Sequence, residues 1–407
     1  MKIIYLHQYF VTPEMSGGTR SYEMARRMVA AGHEVHMVTS LTDGAEYEKE
    51  WIQESIEGIN VHWLPVPYDN TMNYARRLIA FSRFARAAGN YATKLGGDVV
   101  FATSTPLTIA IPAVKASRAL RVPMVFEVRD LWPELPIAMG ALNFPFAKGL
   151  ARRLERWAYS HSDRVIGLSP GMCEGVAKAG FPAKNTVCIP NSSDVELFRV
   201  PDSEGHRFRA EREWLGNHKL VIYAGTFGRI NGVGALVDIA AEMKVIDPDV
   251  KFLVVGKGAE YDLVRYKARE KGVLGSNFFM EDAIPKSEIP ALFNAATVCT
   301  SLFIGLEPMW NNSANKFFDA LAAGRPVMIN YGGWQSKLLR DNQAGITVPN
   351  DDPKAAAEKL YDYLQDEPGL EQAGHNALRL ATEDFSRDKL AAQLIGVLEG
   401  VAAERHV

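Results

Sequence analysis

The strongest constraint on this chain is an alternation of strand-like and helix-like segments that runs its whole length and restarts past the middle. Short apolar runs at 2–7, 34–39, 60–64, 98–102, 123–128, 164–168 and 186–190 alternate with amphipathic stretches such as 19–31 and 73–95. Runs of this kind belong to parallel strands joined by helical crossovers. A polar stretch at 191–218 reads as a linker. The pattern then resumes with strands at 219–224, 250–255, 277–280, 297–301, 326–330 and 345–348, and helices at 232–246 and 260–272. The expectation is an α/β chain of two doubly wound parallel-sheet domains, 1–195 and 196–385. A length of 407 residues also suits two cores better than one. A last helix, about 386–403, can close either domain.

Composition narrows the function classes. A net charge of −3 opposes bulk nucleic-acid binding. Cys173, Cys188 and Cys299 make neither a metal pattern nor a disulfide framework, so a reducing cytoplasm is expected. The run MKIIYLHQYF is broken by His7 and Gln8 and reads as a buried strand, and no apolar stretch is long enough to span a membrane.

Ligands of doubly wound sheets bind outside the carboxyl ends of the strands, and two such halves place a cleft there. The turn after the first strand carries Gly17 and Gly18, where backbone can approach a ligand closely. It lacks G-x-G-x-x-G, which counts against an NAD enzyme. At 127–134 the run EVRDLWPE crowds Glu127 and Asp130, suited to hydroxyls, with Arg129, suited to phosphate. The alternative is that Asp130 caps a turn while Arg129 pairs with Glu127 or Glu134. AGTFGRING at 224–232 sets Arg229, a fork of donors for a diphosphate, among Gly225 and Gly228. In NNSANKFFDALAAGRPV at 311–327, Lys316 adds charge to a helix start, and Asp319 can accept from ribose hydroxyls. Taken alone, that segment reads as an ordinary capped helix. Its place after a strand of the second half, with matching glycine turns elsewhere, turns it into a nucleotide-sugar site.

Other features read as structure. VVGKGAEYD at 254–262 is a weaker glycine turn, Asp247 and Asp249 sit in a solvated turn, and Ser169 caps a helix. No metal site is expected. The helix 73–95 sets Leu78, Phe81, Ala85, Ala88, Ala92 and Leu95 on one face, with Arg76, Arg83 and Arg86 on the other. With Phe144, Pro145, Phe146, Arg152, Arg153 and Arg156, that basic face offers a peripheral seat on anionic lipid.

In this order, GTRSYEMARRMVAAGHEVHMVTS, EVRDLWPE, VIGLSPGM, IPNSSDVELF, AGTFGR and NKFFDALAAGRPV resemble the family-four retaining glycosyltransferases with the GT-B fold. The likeness is greatest to bacterial enzymes of O-antigen and capsule synthesis that transfer sugars such as N-acetylfucosamine. The resemblance implies two Rossmann-like domains facing across a cleft, with most of the nucleotide on the second. It also implies a final helix that crosses back to the first domain. By similarity, Gly17 and Gly18 approach the donor phosphates, Arg229 and Lys316 meet the diphosphate, and Asp319 takes the ribose-binding position. Asp130 joins Arg229 and Lys316 as catalytic, while Arg129, Gly225 and Asn315 join the donor-binding set. The resemblance further implies a nucleoside-diphosphate sugar donor, uridine by default, no cofactor, and a lipid-linked acceptor at the cytoplasmic face of the inner membrane.

Two departures stand out. The family's Glu-x7-Glu pattern here runs from Asn311 to Asp319, leaving an amide where an acid usually meets the donor sugar, with Glu307 four residues earlier. The usual arginine-plus-lysine pair of the second-half turn lacks its lysine, since Asn231 and Gly232 follow Arg229, and Lys316 is the cation left to replace it. A sugar-nucleotide epimerase or phosphorylase and a non-transferring nucleotide-sugar scaffold are the competing functions.

Overall fold

A computed structural model describes residues 1–405 apart from 16, 43–49, 68–71, 73, 105, 131 and 141. The chain divides into two compact units, Met1–Pro190 with Asp388–Val407, and Asn191–Arg387.

The first unit holds an eight-stranded sheet: β1 (Lys2–Leu6), β2 (Glu34–Leu41), β3 (Ile52–Ile56), β4 (Ile59–Pro65), β5 (Val99–Thr103), β6 (Met124–Val128), β7 (Arg164–Gly167) and β8 (Thr186–Cys188). The order is β3-β4-β2-β1-β5-β6-β7-β8, parallel except for the β3–β4 hairpin at one edge. Alternate residues of each strand point to opposite faces, so both faces carry a core. Ile4 and Leu6 pack with Phe84, Ala88 and Tyr159 from the helices Tyr74–Leu95 and Pro145–Ser160. Ile3 and Tyr5 pack with Met24, Met28, Leu394 and Leu398 from the helices Arg20–Ala30 and Arg387–Glu404. The last helix therefore belongs to this core.

The second unit holds a six-stranded parallel sheet: β9 (Leu220–Ala224), β10 (Lys251–Val255), β11 (Phe278–Glu281), β12 (Val298–Ser301), β13 (Val327–Ile329) and β14 (Gly345–Thr347), in the order β11-β10-β9-β12-β13-β14. Val221 and Tyr223 face Leu236, Val237 and Ala240 of helix Gly234–Ile246 and Ala356, Ala357 and Leu360 of helix Pro353–Gln365.

Three expectations need correcting. Residues 191–218 are not a bare linker: Val195–Phe198 and Asp202–Ala210 are helical, and Val195, Phe198, Phe208 and Leu215 are buried. Their apolar side chains, spaced three and more apart among charges, are enough to dock this segment against the helix Ile289–Ala295 through Phe198 and Phe293. The edge strand β3 escapes the strand pattern because Gln53, Glu54 and Ser55 are exposed. On the helix Tyr74–Leu95, Phe84 rather than Phe81 is the fully buried aromatic; Asn73 and the side chain of Leu78 lie outside the described residues.

Candidate active site

In the second sheet the strand order reverses between β9 and β12, which are neighbours although β10 and β11 intervene in sequence. Two loops meet at their carboxyl ends, 225–232 after β9 and 302–316 after β12. Gly225 N continues the ladder to Val255 O at 2.9 Å. Its φ is +154°, and a Cβ here would lie 3.1 Å from Lys316 Cε. The Tyr223 hydroxyl donates to Thr226 O at 2.8 Å, and Asn231 Nδ2 donates to the same carbonyl at 2.9 Å. Gly232 turns the chain back at φ +55°, and Ile304 N donates to Ile230 O at 3.0 Å, tying the loops together.

Lys316 enters this turn from the helix Asn315–Ala322. Its Nζ donates to Asn231 Oδ1 at 3.1 Å and lies 5.3 Å from the Tyr223 ring and 5.6 Å from the Phe303 ring. Burial in this aromatic collar pushes the ammonium down to about 8, against the opposing pull of Asp319. Among the described residues no carboxylate lies within ion-pair distance of it. The structure thus brings Lys316 into the turn that follows Arg229, where the sequence itself has no lysine. Arg229 is exposed on the short turn Arg229–Asn231, with no hydrogen-bond or ion-pair partner among the described residues. Two cations thus share one glycine turn at the switch point.

Asp319 lies one helical turn beyond Lys316, half-buried, and accepts from Ser193 Oγ at 2.7 Å. Burial raises its pKa, and the Ser193 hydrogen bond and the Arg387 charge oppose the rise. Asn191 N donates to Ser313 Oγ at 2.9 Å, while Arg387 donates to Ser192 O at 2.9 Å and pairs with Asp194. Residues 191–194 therefore brace the start of the helix. Sequence reasoning missed them by assigning them to the linker, although NSSD after a strand is a run of short hydrogen-bonding side chains. Asn315 is the first residue of that helix and is half-buried. Asn311 closes the turn Glu307–Asn311, and Glu307 opens it, exposed.

In the first unit β1 pairs with both β2 and β5, and this is its switch point. Gly17 and Gly18 are exposed in the loop before helix Arg20–Ala30; Gly17 has φ +143°, and a Cβ there would meet Val11 Cγ2 at 3.2 Å. Glu127 is 0% exposed and accepts from Arg20 Nη2 at 2.8 Å, Arg20 Nε at 3.1 Å and Thr103 Oγ1 at 2.7 Å. Burial pushes its pKa up, but the Arg20 guanidinium prevails and holds it below the usual carboxylate range. Arg20 also donates to Ile189 O and Pro190 O. Glu127 is therefore a buried counter-ion, which corrects its expected role toward hydroxyls. Arg129 makes neither of its alternative pairings, because Glu134 is bonded to Arg152 at 3.1 Å. Its backbone N donates to Ser104 Oγ at 2.9 Å, and its Nη1 donates to His7 Nε2 at 3.2 Å. Asp130 is half-buried beside it, its carbonyl accepting from Trp132 N at 2.8 Å.

Elsewhere Ser169 caps its helix by accepting from Met172 N at 3.1 Å, and Asp249 N donates to Asp247 Oδ1 at 2.9 Å in a surface turn. Among the described residues no three His, Cys, Asp or Glu side chains converge as a metal would require, and no helix is long and apolar enough to cross a membrane.

Two α/β units, each built on a largely parallel sheet with a switch point, give the chain the GT-B fold. Residues 17–192 match the family described as glycosyl transferase 4-like domain, and residues 218–366 match glycosyl transferases group 1. The chain carries both domains and is a glycosyltransferase. It is 23% identical over 293 residues to the putative colanic acid biosynthesis glycosyl transferase WcaI of Escherichia coli, covering 67% of this chain and 71% of WcaI. It is 23% identical over 404 residues to the D-inositol 3-phosphate glycosyltransferase of Corynebacterium aurimucosum, covering 93% and 90%. Its fold is similar to that of Anabaena Alr3699/HepE, solved in complex with UDP and glucose, at a TM-score of 0.72, 18% identity and coverage of 98% and 100%.

Proposed function

We propose that this glycosyltransferase is retaining and metal-independent, and moves a sugar from a nucleoside-diphosphate donor, uridine its base, to a polyprenyl-diphosphate-linked glycan in surface-polysaccharide synthesis. The observation that carries the reading is Lys316, a lysine without a carboxylate partner among the described residues, set in the glycine turn beside exposed Arg229. Departure of a nucleoside diphosphate builds negative charge on phosphate oxygens. Two cations and the amides opening the helix Asn315–Ala322 stabilise that charge without a metal. In a front-face substitution the departing phosphate oxygen takes the proton of the acceptor hydroxyl, so no separate base is required. Asp319 contacts ribose in this reading, and its bond to Ser193 fixes the carboxylate's orientation. Arg129 and Asp130, after β6 beside the switch point of the first sheet, serve donor phosphate or acceptor. The sugar proposed is of the N-acetylfucosamine type, on the resemblance of the sequence motifs.

The lipid-linked acceptor draws support from one surface. Phe144, Phe146 and Leu150, at the start of the helix Pro145–Ser160, are 78%, 84% and 58% exposed, and Arg153 and Arg156 are exposed on the same helix. Exposed aromatics among cations suit the edge of an anionic membrane. Arg152 adds less than its charge suggests, since Glu134 pairs with it.

A thermal-shift panel of nucleoside-diphosphate sugars, with and without EDTA, tests the proposal. Stabilisation follows ligand concentration over dissociation constant, so the panel ranks donors. A UDP-sugar should stabilise most and EDTA should leave the shift unchanged. A shift abolished by EDTA, or none with any nucleotide, would overturn the reading.

A further inference from the structure

We propose that His7 is a positioning residue for the transfer site: a buried, neutral imidazole whose Nε2 lone pair aims the guanidinium of Arg129 at a phosphate group of the donor or the lipid-linked acceptor. The proposal rests on the transferase reading above and adds a residue that the sequence motifs did not single out as part of the site.

The geometry fixes the hydrogen-bonding state. Arg129 Nη1 stands 3.2 Å from His7 Nε2. A guanidinium can only donate, so Nε2 accepts and the ring proton falls on Nδ1, a buried atom with no hydrogen-bond partner among the described residues. A protonated imidazole would have no lone pair for Arg129 and would set two cations together. Burial, with the Arg129 charge second, holds the His7 pKa well below its ordinary value and keeps that lone pair available. His7 is only 3% exposed and follows β1 directly, so its ring is held by the core rather than by solvent.

The other end of the contact is poised for an anion. The backbone of Arg129 is anchored by Ser104 Oγ at 2.9 Å, which follows β5. Arg129 thus hangs between residues that extend the two strands flanking the switch point. Among the described residues no carboxylate lies within ion-pair distance of it. Glu127, two residues earlier, is already spent on Arg20. Nε and Nη2 of the half-buried side chain keep donors without a described partner. A cation oriented by a neutral acceptor and left without a counter-ion is an arrangement that a bound phosphate completes.

Two amide substitutions separate aiming from packing. A glutamine amide overlays Nε2 of histidine, and an asparagine amide overlays Nδ1. His7→Gln therefore keeps an acceptor for Arg129, and His7→Asn removes it. Binding of UDP and of a short-chain prenyl diphosphate would be measured by calorimetry for wild type, both variants and Arg129→Ala. His7→Asn should weaken one of the two ligands by about tenfold, matching Arg129→Ala, while His7→Gln stays within about threefold of wild type. The ligand that responds identifies whose phosphate Arg129 holds. Equal losses in Gln and Asn, or none in Asn, would overturn the aiming role. A ligand-free readout stands apart from the function: nitrogen NMR of labelled histidine should report the Nδ1–H tautomer for His7. An Nε2–H tautomer would refute the proposal even in an active transferase. Failure of wild type to bind UDP would instead count against the function.

Discussion

Lys316 yields the sharpest test of the proposed phosphate site, because its charge state should control binding within an accessible pH range. Its aromatic collar sets the free-state pKa at about 8. A bound diphosphate favours the charged form, so only the protonated enzyme binds well and the apparent dissociation constant scales as 1 + 10^(pH − pKa). With the pKa at about 8, that factor grows about tenfold from pH 7 to pH 9, or about 1.4 kcal/mol. The direction is fixed: affinity is full below the free-state pKa and lost as pH rises through it. Calorimetric titration with a nucleoside-diphosphate sugar reads the effect, since neither phosphate of such an ester titrates in that range and the Lys316→Met control cancels titration of the base. Lys316→Met should bind weakly and nearly independently of pH, close to the alkaline limit of wild type. Equal affinity at pH 7 and pH 9 in wild type, or the same pH slope in Lys316→Met, would refute the assignment of Lys316 as the diphosphate cation.

Other outcomes follow from the same geometry. Arg229→Ala should cut sugar transfer by about 10²-fold in steady-state assays while leaving the melting temperature unchanged, because the side chain is exposed and only developing charge needs it. Arg20→Met strands the buried Glu127 carboxylate and should cost about 3–5 kcal/mol by urea denaturation; a loss below about 1 kcal/mol would mean the pair is not buried as described. Glu155, buried beside Tyr159, has its pKa raised to about 7 by burial and then by Glu134. A carboxyl raised in the folded state lowers stability as pH climbs from its unfolded value through about 7, so Glu155→Gln should stabilise the chain by about 1–3 kcal/mol at pH 8 and scarcely at pH 4, read by denaturant melts. Phe144→Ser with Phe146→Ser should abolish sedimentation with anionic vesicles at unchanged melting temperature, since both rings are exposed; retained sedimentation would move the membrane contact elsewhere.

Much of the architecture could be read from the chain because each half repeats one physical pattern. Strands such as KIIYL and LVIYA are apolar on both faces, and only a sheet covered on both sides hides such a run. The glycine turns at 17–18 and 225–232 were legible for a different reason: glycines after a strand mark places where backbone must turn or be approached. Other features escaped because they depend on a distant partner. The helices at 195–198 and 202–210 look like linker until Phe198 and Phe208 find a core. The pairing of Glu127 is invisible locally, since Arg20 lies 107 residues away.

The candidate site divides along the same line. Residue types and strand-end placement, both local properties, sufficed to nominate Arg229, Lys316 and Asp319, and the family resemblance of the motifs in their order pointed to a transferase. Only the folded chain brings Lys316 Nζ to Asn231, 85 residues earlier. It alone removes Glu127 from the site, spending the charge of that carboxylate on Arg20. The physical reason is that backbone preference and amphipathic period act over a few residues, whereas charge pairing and desolvation act between whichever side chains the strand order sets side by side.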